Sequence, residues 1–115
     1  MRDYKVVTAL ASAARNANGD SKSTPIAVGA YNEANFVLKV TAASGTNPTL
    51  DVSILTYDKT SDTWNTLTTF TQKTTTGVEL KTVSTNLGYL IAFSWTIGGT
   101  DSPSFTFSIG ATLKG

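Results

Sequence analysis

The side chains that most often carry out covalent chemistry in proteins are absent from this chain of 115 residues. It has no His and no Cys, which excludes the commonest general base, thiolate nucleophiles, thiolate metal sites and disulfides. A Ser or Thr nucleophile still needs a base, and the Lys positions indicate no Ser–Lys pair. Glu33 and Glu79 are the only Glu residues, and nothing indicates the two facing carboxylates of a glycosidase. We predict that the chain is not an enzyme and uses no cofactor.

The acidic and glycine-rich segments are better explained as turns than as metal or phosphate sites. Asp58 and Asp62 carry the oxygen ligands that Ca²⁺ prefers, but the residues around them lack the Gly and the terminal Glu of a calcium loop. Asp and Ser are also ordinary turn residues. The pair Gly98 and Gly99 has neither the spacing nor the following helix of a phosphate-binding loop. We predict no metal site.

Four aromatic residues raise the hypothesis of a sugar-binding surface, namely Tyr57, Trp64, Tyr89 and Trp95. Trp95 lies in a stripe of alternating Ile and Phe residues, so we expect it in the core with its indole N–H bonded internally. Trp64 directly follows a polar turn, which leaves open whether it lies at the edge of the core or on the surface. Tyr57 and Trp64 are therefore the candidate exposed aromatic contacts.

The balance of charge argues against two large classes of partner. Nine Lys and Arg residues against eight Asp and Glu give a net charge of +1, which provides no electrostatic footprint for nucleic acid or an anionic membrane. No stretch approaches the roughly 20 apolar residues that span a bilayer. The apolar segment 6–14 is short and interrupted by Thr8 and Ser12, unlike a signal peptide. We expect neither nucleic acid nor a membrane as partner.

The hydroxyl content and the alternation of side chains predict an all-β fold. The chain has 21 Thr and 11 Ser, and Thr is β-branched and favours strands. Apolar and polar residues alternate in four segments, which are Phe36–Val40, Leu50–Ile54, Tyr89–Ile97 and Phe105–Leu113. Turn signals recur about every 8 to 12 residues, which is typical of an antiparallel β-sandwich. We predict that fold.

Loops and faces follow from the same pattern. Gly, Asn and Pro residues predict loops at Ala43–Pro48 and Gly98–Pro103 that separate short strands. After the turn that precedes them, Val78 and Leu80 are expected to face the core. The pattern as a whole predicts about seven to nine short strands in a single domain of residues 1–115.

Four motifs follow one another along the last two-thirds of the chain. They are SGTNPTLDV at Ser44–Val52, DTW at Asp62–Trp64, FTQ at Phe70–Gln72 and WTIGGTDSPSFTFSI at Trp95–Ile109. In this order they resemble a group of small virion proteins of tailed bacteriophages. The resemblance runs from about Phe36 to Gly115, and it concerns a scaffold rather than a catalytic signature.

The resemblance implies a head decoration protein, also called a cement protein, with a jelly-roll-like β-sandwich. Proteins of this kind bind the outer surface of the capsid, often as homotrimers, and stabilise the phage head. The implied partners are the major capsid protein and further copies of the chain. The implied location is the virion, after synthesis in the host cytoplasm.

The N-terminal segment lies outside the resemblance. Residues 1–14 carry Tyr4, Val6, Val7 and Leu10, which have no obvious partner in the alternating core. We expect this segment to be an arm that contacts the capsid, or that adds a strand to the sheet edge of a neighbouring subunit.

Two other functions stay open from the sequence. A glycan-binding module of a phage tail or adhesin would expose Tyr57 or Trp64 beside polar side chains in a groove. A tail-completion protein would share the all-β composition but would form rings.

Overall fold

The computed structural model describes residues 4–84 and 87–115. These residues form antiparallel β-strands joined by turns, and no helix occurs among them. The strands are β1 Tyr4–Arg15, β2 Gly19–Asp20, β3 Ile26–Ala27, β4 Glu33–Asp58, β5 Thr63–Thr69, β6 Gly77–Val83 and β7 Leu90–Lys114. The prediction of an all-β, antiparallel fold is confirmed.

Two strands of unusual length organise the sheet. β4 has 26 residues and β7 has 25, whereas a typical strand has about five or six. The two strands pair with each other, from Glu33 opposite Lys114 to Tyr57 opposite Leu90. β1, β2 and β3 follow one another along the other side of β7, and β5 and β6 do the same along β4. The sheet is therefore a long ribbon.

The ribbon has two parts, which we name the first and the second half-sheet. The first half-sheet contains, in order across the sheet, β1, residues 104–114 of β7, residues 33–44 of β4, and β6. The second contains β2 and β3, residues 90–98 of β7, residues 49–58 of β4, and β5.

The long strands bend sharply where the two half-sheets meet. A straight strand of 25 residues would extend about 80 Å, but the longest dimension of the molecule is 47 Å. The residues of positive φ at this bend are Gly45, Asn47, Gly99, Asp101 and Ser102. The bend curls the antiparallel sheet into a half-barrel.

The segments predicted as loops, Ala43–Pro48 and Gly98–Pro103, form this bend. The prediction that they interrupt the strands is wrong, because pairing between β4 and β7 continues through the bend, where Thr46 lies opposite Thr100. Ser44 lies opposite Ser104, for example. Both strands carry turn-forming residues at the same level, so they change direction together and remain neighbours instead of separating.

The core lies between the inner faces of the two half-sheets. Phe36 of the first contacts Phe93 of the second edge-to-face, with ring centroids 5.7 Å apart. Trp95 of the second makes the same contact with Phe107 of the first at 5.8 Å. Trp95 is half-buried at the margin of this core and not inside it, but its indole N–H donates internally to the carbonyl of Ala17 at 3.2 Å, as predicted. The largest fully buried side chains are Phe36, Phe93, Phe105, Phe107, Leu38, Leu50, Ile54, Ile91, Ile109, Leu113, Val28 and Val52.

The connection from β3 to β4 joins the far ends of the two half-sheets. The Val28 N–H donates to the carbonyl of Tyr89 at 3.0 Å, and the Asn32 N–H donates to the carbonyl of Lys114 at 2.9 Å. Val28 is completely buried. Facing half-sheets around a shared core are compatible with the predicted sandwich, whereas the jelly-roll strand order stays a prediction.

The face of β6 that was expected to be buried is the exposed one. Glu79 lies opposite Leu38, so the charged residues Glu79 and Lys81 occupy the core side of the strand. Val78 and Leu80 point away from the core, and the prediction that they face it is wrong. Alternation shows which residues share a face, but it does not show which face is buried on a strand at the edge of a sheet.

Candidate functional site

The face of the first half-sheet that points away from the core carries most of the exposed apolar side chains. Of the five large hydrophobic residues that are exposed in the described part of the chain, all but Tyr89 lie on this face. We name it the outer face. Its rows across the strands are Tyr4, Lys114 and Glu33; Val6, Thr112, Asn35 and Thr82; Thr8, Gly110, Val37 and Leu80; and Ser108, Lys39 and Val78.

The apolar side chains stand at the two edges of the outer face. On β1, Tyr4 is 72% and Val6 is 70% exposed; on β6, Val78 is 65% and Leu80 is 59% exposed. Most positions between them are polar or small, and Gly110 in the middle has open space above its Cα. One face of an antiparallel sheet can face water, so the two exposed apolar pairs, one at each edge of this face, are its candidate contact positions.

The four N-terminal residues predicted as contacts are divided between two surfaces. Tyr4 and Val6 lie on the outer face, whereas Val7 and Leu10 are half-buried and pack against the core. The expectation that these residues lack a partner in the core is wrong for Val7 and Leu10. Their places follow from the alternation of β1 and from a register shift between Thr8 and Leu10.

The segment predicted as an N-terminal arm is, in its described part, a strand of the chain's own sheet. It pairs in unbroken register from Tyr4 opposite Lys114 to Thr8 opposite Gly110. The segment is therefore the edge strand of the first half-sheet, and within the described residues its other side has no partner strand. Its contact with a capsid or a neighbouring subunit stays a prediction.

Arg15 secures the irregular part of β1, and the sequence analysis did not single it out. Where the register shifts, its guanidinium donates to the carbonyls of Ala11 at 2.9 Å, Ala13 at 3.0 Å and Phe107 at 2.8 Å. It also lies over the ring of Trp95, 5.0 Å from the centroid. Burial lowers the pKa of Arg15, but an arginine remains charged. The only sequence signal was one Arg at the end of an Ala-rich run.

Tyr57 and Trp64 lie opposite each other in the second half-sheet and form a ring contact. Their centroids are 5.2 Å apart, the ring planes are inclined by 50°, and both residues are half-buried. The Tyr57 hydroxyl donates to the carboxylate of Asp62. That hydrogen bond, with burial and the nearby negative charge, raises the pKa of Tyr57. The structure brings this pair together, but not on the half-sheet that carries Tyr4 and Val6.

The acidic residues of the β4–β5 turn are used within the turn. The carboxylate of Asp58 accepts the Thr60 N–H at 3.1 Å and the Ser61 hydroxyl at 2.8 Å. Lys59 lies 5.5 Å from the ring centroid of Tyr89. In the part of the chain that the structure describes, no three acidic side chains form a group that could hold a metal ion.

Comparisons with known proteins found that no protein-family model and no curated protein matches the chain. In the ranges 4–84 and 87–115, no helix has the length and apolarity needed to cross a membrane. The features that indicate a function are therefore the outer face, the open edge of β1 and the motifs of the sequence itself.

Proposed function

We propose that this chain is a capsid decoration protein, a structural protein that binds the outer surface of a tailed-phage head and stabilises it. The observation that carries the proposal is the exposed apolar pair of Tyr4 and Val6 on the outer face, on a strand whose other side has no partner in the described residues. The sequence motifs that resemble phage virion proteins supply the class of partner, which is the major capsid protein.

The resembling motifs support a scaffold role because two of them build the bend. Ser44–Val52 and Trp95–Ile109 run side by side, and the Thr46 hydroxyl donates to the carboxylate of Asp101. These motifs therefore specify the shape of the sheet. The outer face and β1 are then the surfaces that would contact the capsid shell.

A decoration protein acts by covering surface rather than by chemistry. Burying Tyr4 and Val6 against the capsid would stabilise the contact by roughly 25 cal/mol for each Å² of apolar surface. The net charge of +1 lets many copies lie close together without strong repulsion. Association into a homotrimer belongs to the same proposal.

Co-sedimentation with phage heads tests the proposal directly. The purified chain is mixed with heads of its own phage that lack it, and we expect it to sediment with them and to raise the temperature at which they break open. Tyr4→Ser combined with Val6→Ser should weaken binding at least tenfold, because it removes the exposed apolar groups of β1. Tyr89→Ser is the matched control, since Tyr89 is exposed directly before β7 at the end of the second half-sheet, away from the outer face.

Several results would count against a decoration protein. The proposal would be contradicted if the wild-type chain did not sediment with the heads. It would also be contradicted if the double variant melted like wild type and bound the heads as well as wild type does. Sugar binding on a glycan array that is lost in Trp64→Ala would instead assign the chain to the glycan-binding class. The tilt and partial burial of the Tyr57–Trp64 pair give that class less support.

A further inference from the structure

The first half-sheet has two open edges. The strand order across it is β1, β7, β4, β6, and within the described residues neither β1 nor β6 pairs with a strand on its outer side. Such edges present free backbone N–H and C=O groups and pair readily with another chain. Natural edge strands are usually protected by charges or bulges, so the side chains at these two edges indicate what each edge can accept.

The two edges match each other in side-chain character. Each bears two apolar residues on the outer face, Tyr4 and Val6 on β1, and Val78 and Leu80 on β6. On the opposite face, the residue between each apolar pair is charged. It is Lys5 on β1 and Glu79 on β6, and the two charges have opposite sign, although the Glu79 carboxylate already contacts Lys73 of its own chain, so Lys5 would be a second cation beside it.

We propose that β6 of one copy pairs antiparallel with the start of β1 of a second copy, in the register that places Glu79 opposite Lys5. Neighbouring strands alternate in direction across the half-sheet. Two copies in the same orientation therefore bring β6 and β1 together antiparallel, which is the more stable way to pair. The inference deepens the self-association in the proposed function by naming its edges and register.

Both faces of the strands select this register. It sets Val78 opposite Val6 and Leu80 opposite Tyr4, so apolar pairs form on the outer face. A shift of one residue would turn the outer face of β6 toward the core side of β1. A shift of two residues in one direction would bring Lys81 opposite Lys5, where like charges repel, and in the other direction it would bring Gly77 opposite Lys5 and separate Leu80 from Tyr4.

The contact between copies is short, and it joins two different strand edges, β6 of one copy and β1 of the other. The regular register of β1 extends only from Tyr4 to Thr8, because bulges held by Arg15 follow. Pairing is therefore confined to about four residues of each strand, and association should depend strongly on concentration. Since β6 of each copy meets β1 of the next, the contact is head-to-tail, which forms a closed ring such as a trimer where the rotation between copies closes and an open filament where it does not.

Sedimentation velocity of the full chain, without any capsid, tests the edges separately. Wild type should associate as its concentration rises from micromolar toward millimolar. Val6→Lys blocks the β1 edge and Leu80→Lys blocks the β6 edge, and each should weaken self-association at least tenfold. A mixture of these two variants should form a 1:1 dimer that grows no further. The intact β6 edge of Val6→Lys can pair with the intact β1 edge of Leu80→Lys, and the two remaining edges are blocked. Tyr89→Lys is the control and should associate like wild type.

Three results would overturn the inference, provided that the variants melt like wild type. They are a wild-type chain that stays monomeric at all concentrations, a Val6→Lys or Leu80→Lys variant that associates normally, and a mixture that fails to dimerise. If Leu80→Lys alone still forms dimers, the contact joins two β1 edges instead. Head binding is measured in a separate assay, so failure here is distinguishable from failure of the decoration function.

Discussion

One ion pair fixes the chain where it passes from β5 to β6. The Lys73 ammonium contacts the carboxylate of Glu79, which also accepts the Thr71 N–H at 3.0 and 3.2 Å. The backbone of Lys73 pairs with Leu50 of β4. Burial alone would raise the pKa of Glu79, but the hydrogen bond and charge of Lys73 and the bonds from Thr71 hold it below its ordinary value.

The lowered pKa of Glu79 predicts how stability depends on pH. In the unfolded chain the pKa of a Glu is about 4.3. Because the folded-state value is lower, ionised Glu79 stabilises the fold above that pH, and the contribution is lost as pH falls through the folded-state pKa. We expect Glu79→Gln to lower the free energy of unfolding at neutral pH by about 1 kcal/mol. Below about pH 5, the free energy of unfolding of Glu79→Gln should also fall less steeply than that of wild type. Urea unfolding at a series of pH values measures both.

Two variants make this prediction specific. Lys73→Met leaves the Glu79 carboxylate without its cation. The free energy of unfolding of this variant should therefore also change less with pH in the acid range than that of wild type. Lys39→Met removes an exposed lysine from the outer face and should preserve the wild-type profile. If the free energy of unfolding of Glu79→Gln fell as steeply as that of wild type below about pH 5, the ion pair would not be what controls stability in that pH range.

The bend between the half-sheets depends on glycine at two positions. Gly45 has φ 107° and Gly99 has φ 118°, a region that other residues rarely adopt. A Cβ on Gly45 would lie 2.8 Å from Cα of Pro103, and a Cβ on Gly99 would lie 3.0 Å from the carbonyl oxygen of Asn47. Since both neighbours are backbone atoms, neither can move aside without changing the bend.

Alanine substitutions at the bend should therefore be costly. We expect Gly45→Ala and Gly99→Ala each to lower the free energy of unfolding by about 2 kcal/mol or more. Gly110→Ala is the matched control, because open space surrounds that position, and its effect should stay within about 0.5 kcal/mol. Chemical denaturation of the three variants measures the difference. If Gly45→Ala proved as stable as Gly110→Ala, the bend would not depend on this glycine.

Local sequence pattern predicted the strands better than their connections. The alternation around Phe36–Val40 and Phe105–Leu113 fixes strands and their buried faces, and both are as expected. The bend could not be predicted, because a Gly such as Gly45 looks the same in a loop as in a strand that turns beside its partner. What distinguishes the two is the contact with Pro103, which is distant in sequence.

The candidate site was predictable only in part for a related reason. The exposure of Tyr4 and Val6 agrees with their proposed contact role, whereas the exposure of Val78 and Leu80 was not expected. Whether a strand lies at the edge or in the middle of a sheet is decided by pairing between distant segments. A sequence pattern of period two carries no information on that pairing.

At the scale of the whole molecule, the two half-sheets share a core, and neither has a complete core of its own. Phe36 and Phe93 come from different half-sheets and are buried against each other. The backbone of Phe93 also exchanges hydrogen bonds with the buried Ser21, at 2.8 and 2.9 Å. Loss of the Phe93 ring therefore removes contacts from both half-sheets at once, so the two should unfold together.

Hydrogen exchange can test this shared stability. We expect Phe93→Ala to lower the free energy of unfolding by about 3 to 5 kcal/mol. Protection of the β4 amides should fall by the same factor in residues 34–40 of the first half-sheet and 50–56 of the second, because global unfolding exposes both. Val78→Ala, at an exposed position, is the control and should leave protection nearly unchanged. If residues 34–40 of Phe93→Ala kept wild-type protection while residues 50–56 lost it, the first half-sheet would fold independently. The two half-sheets would then not unfold as one unit.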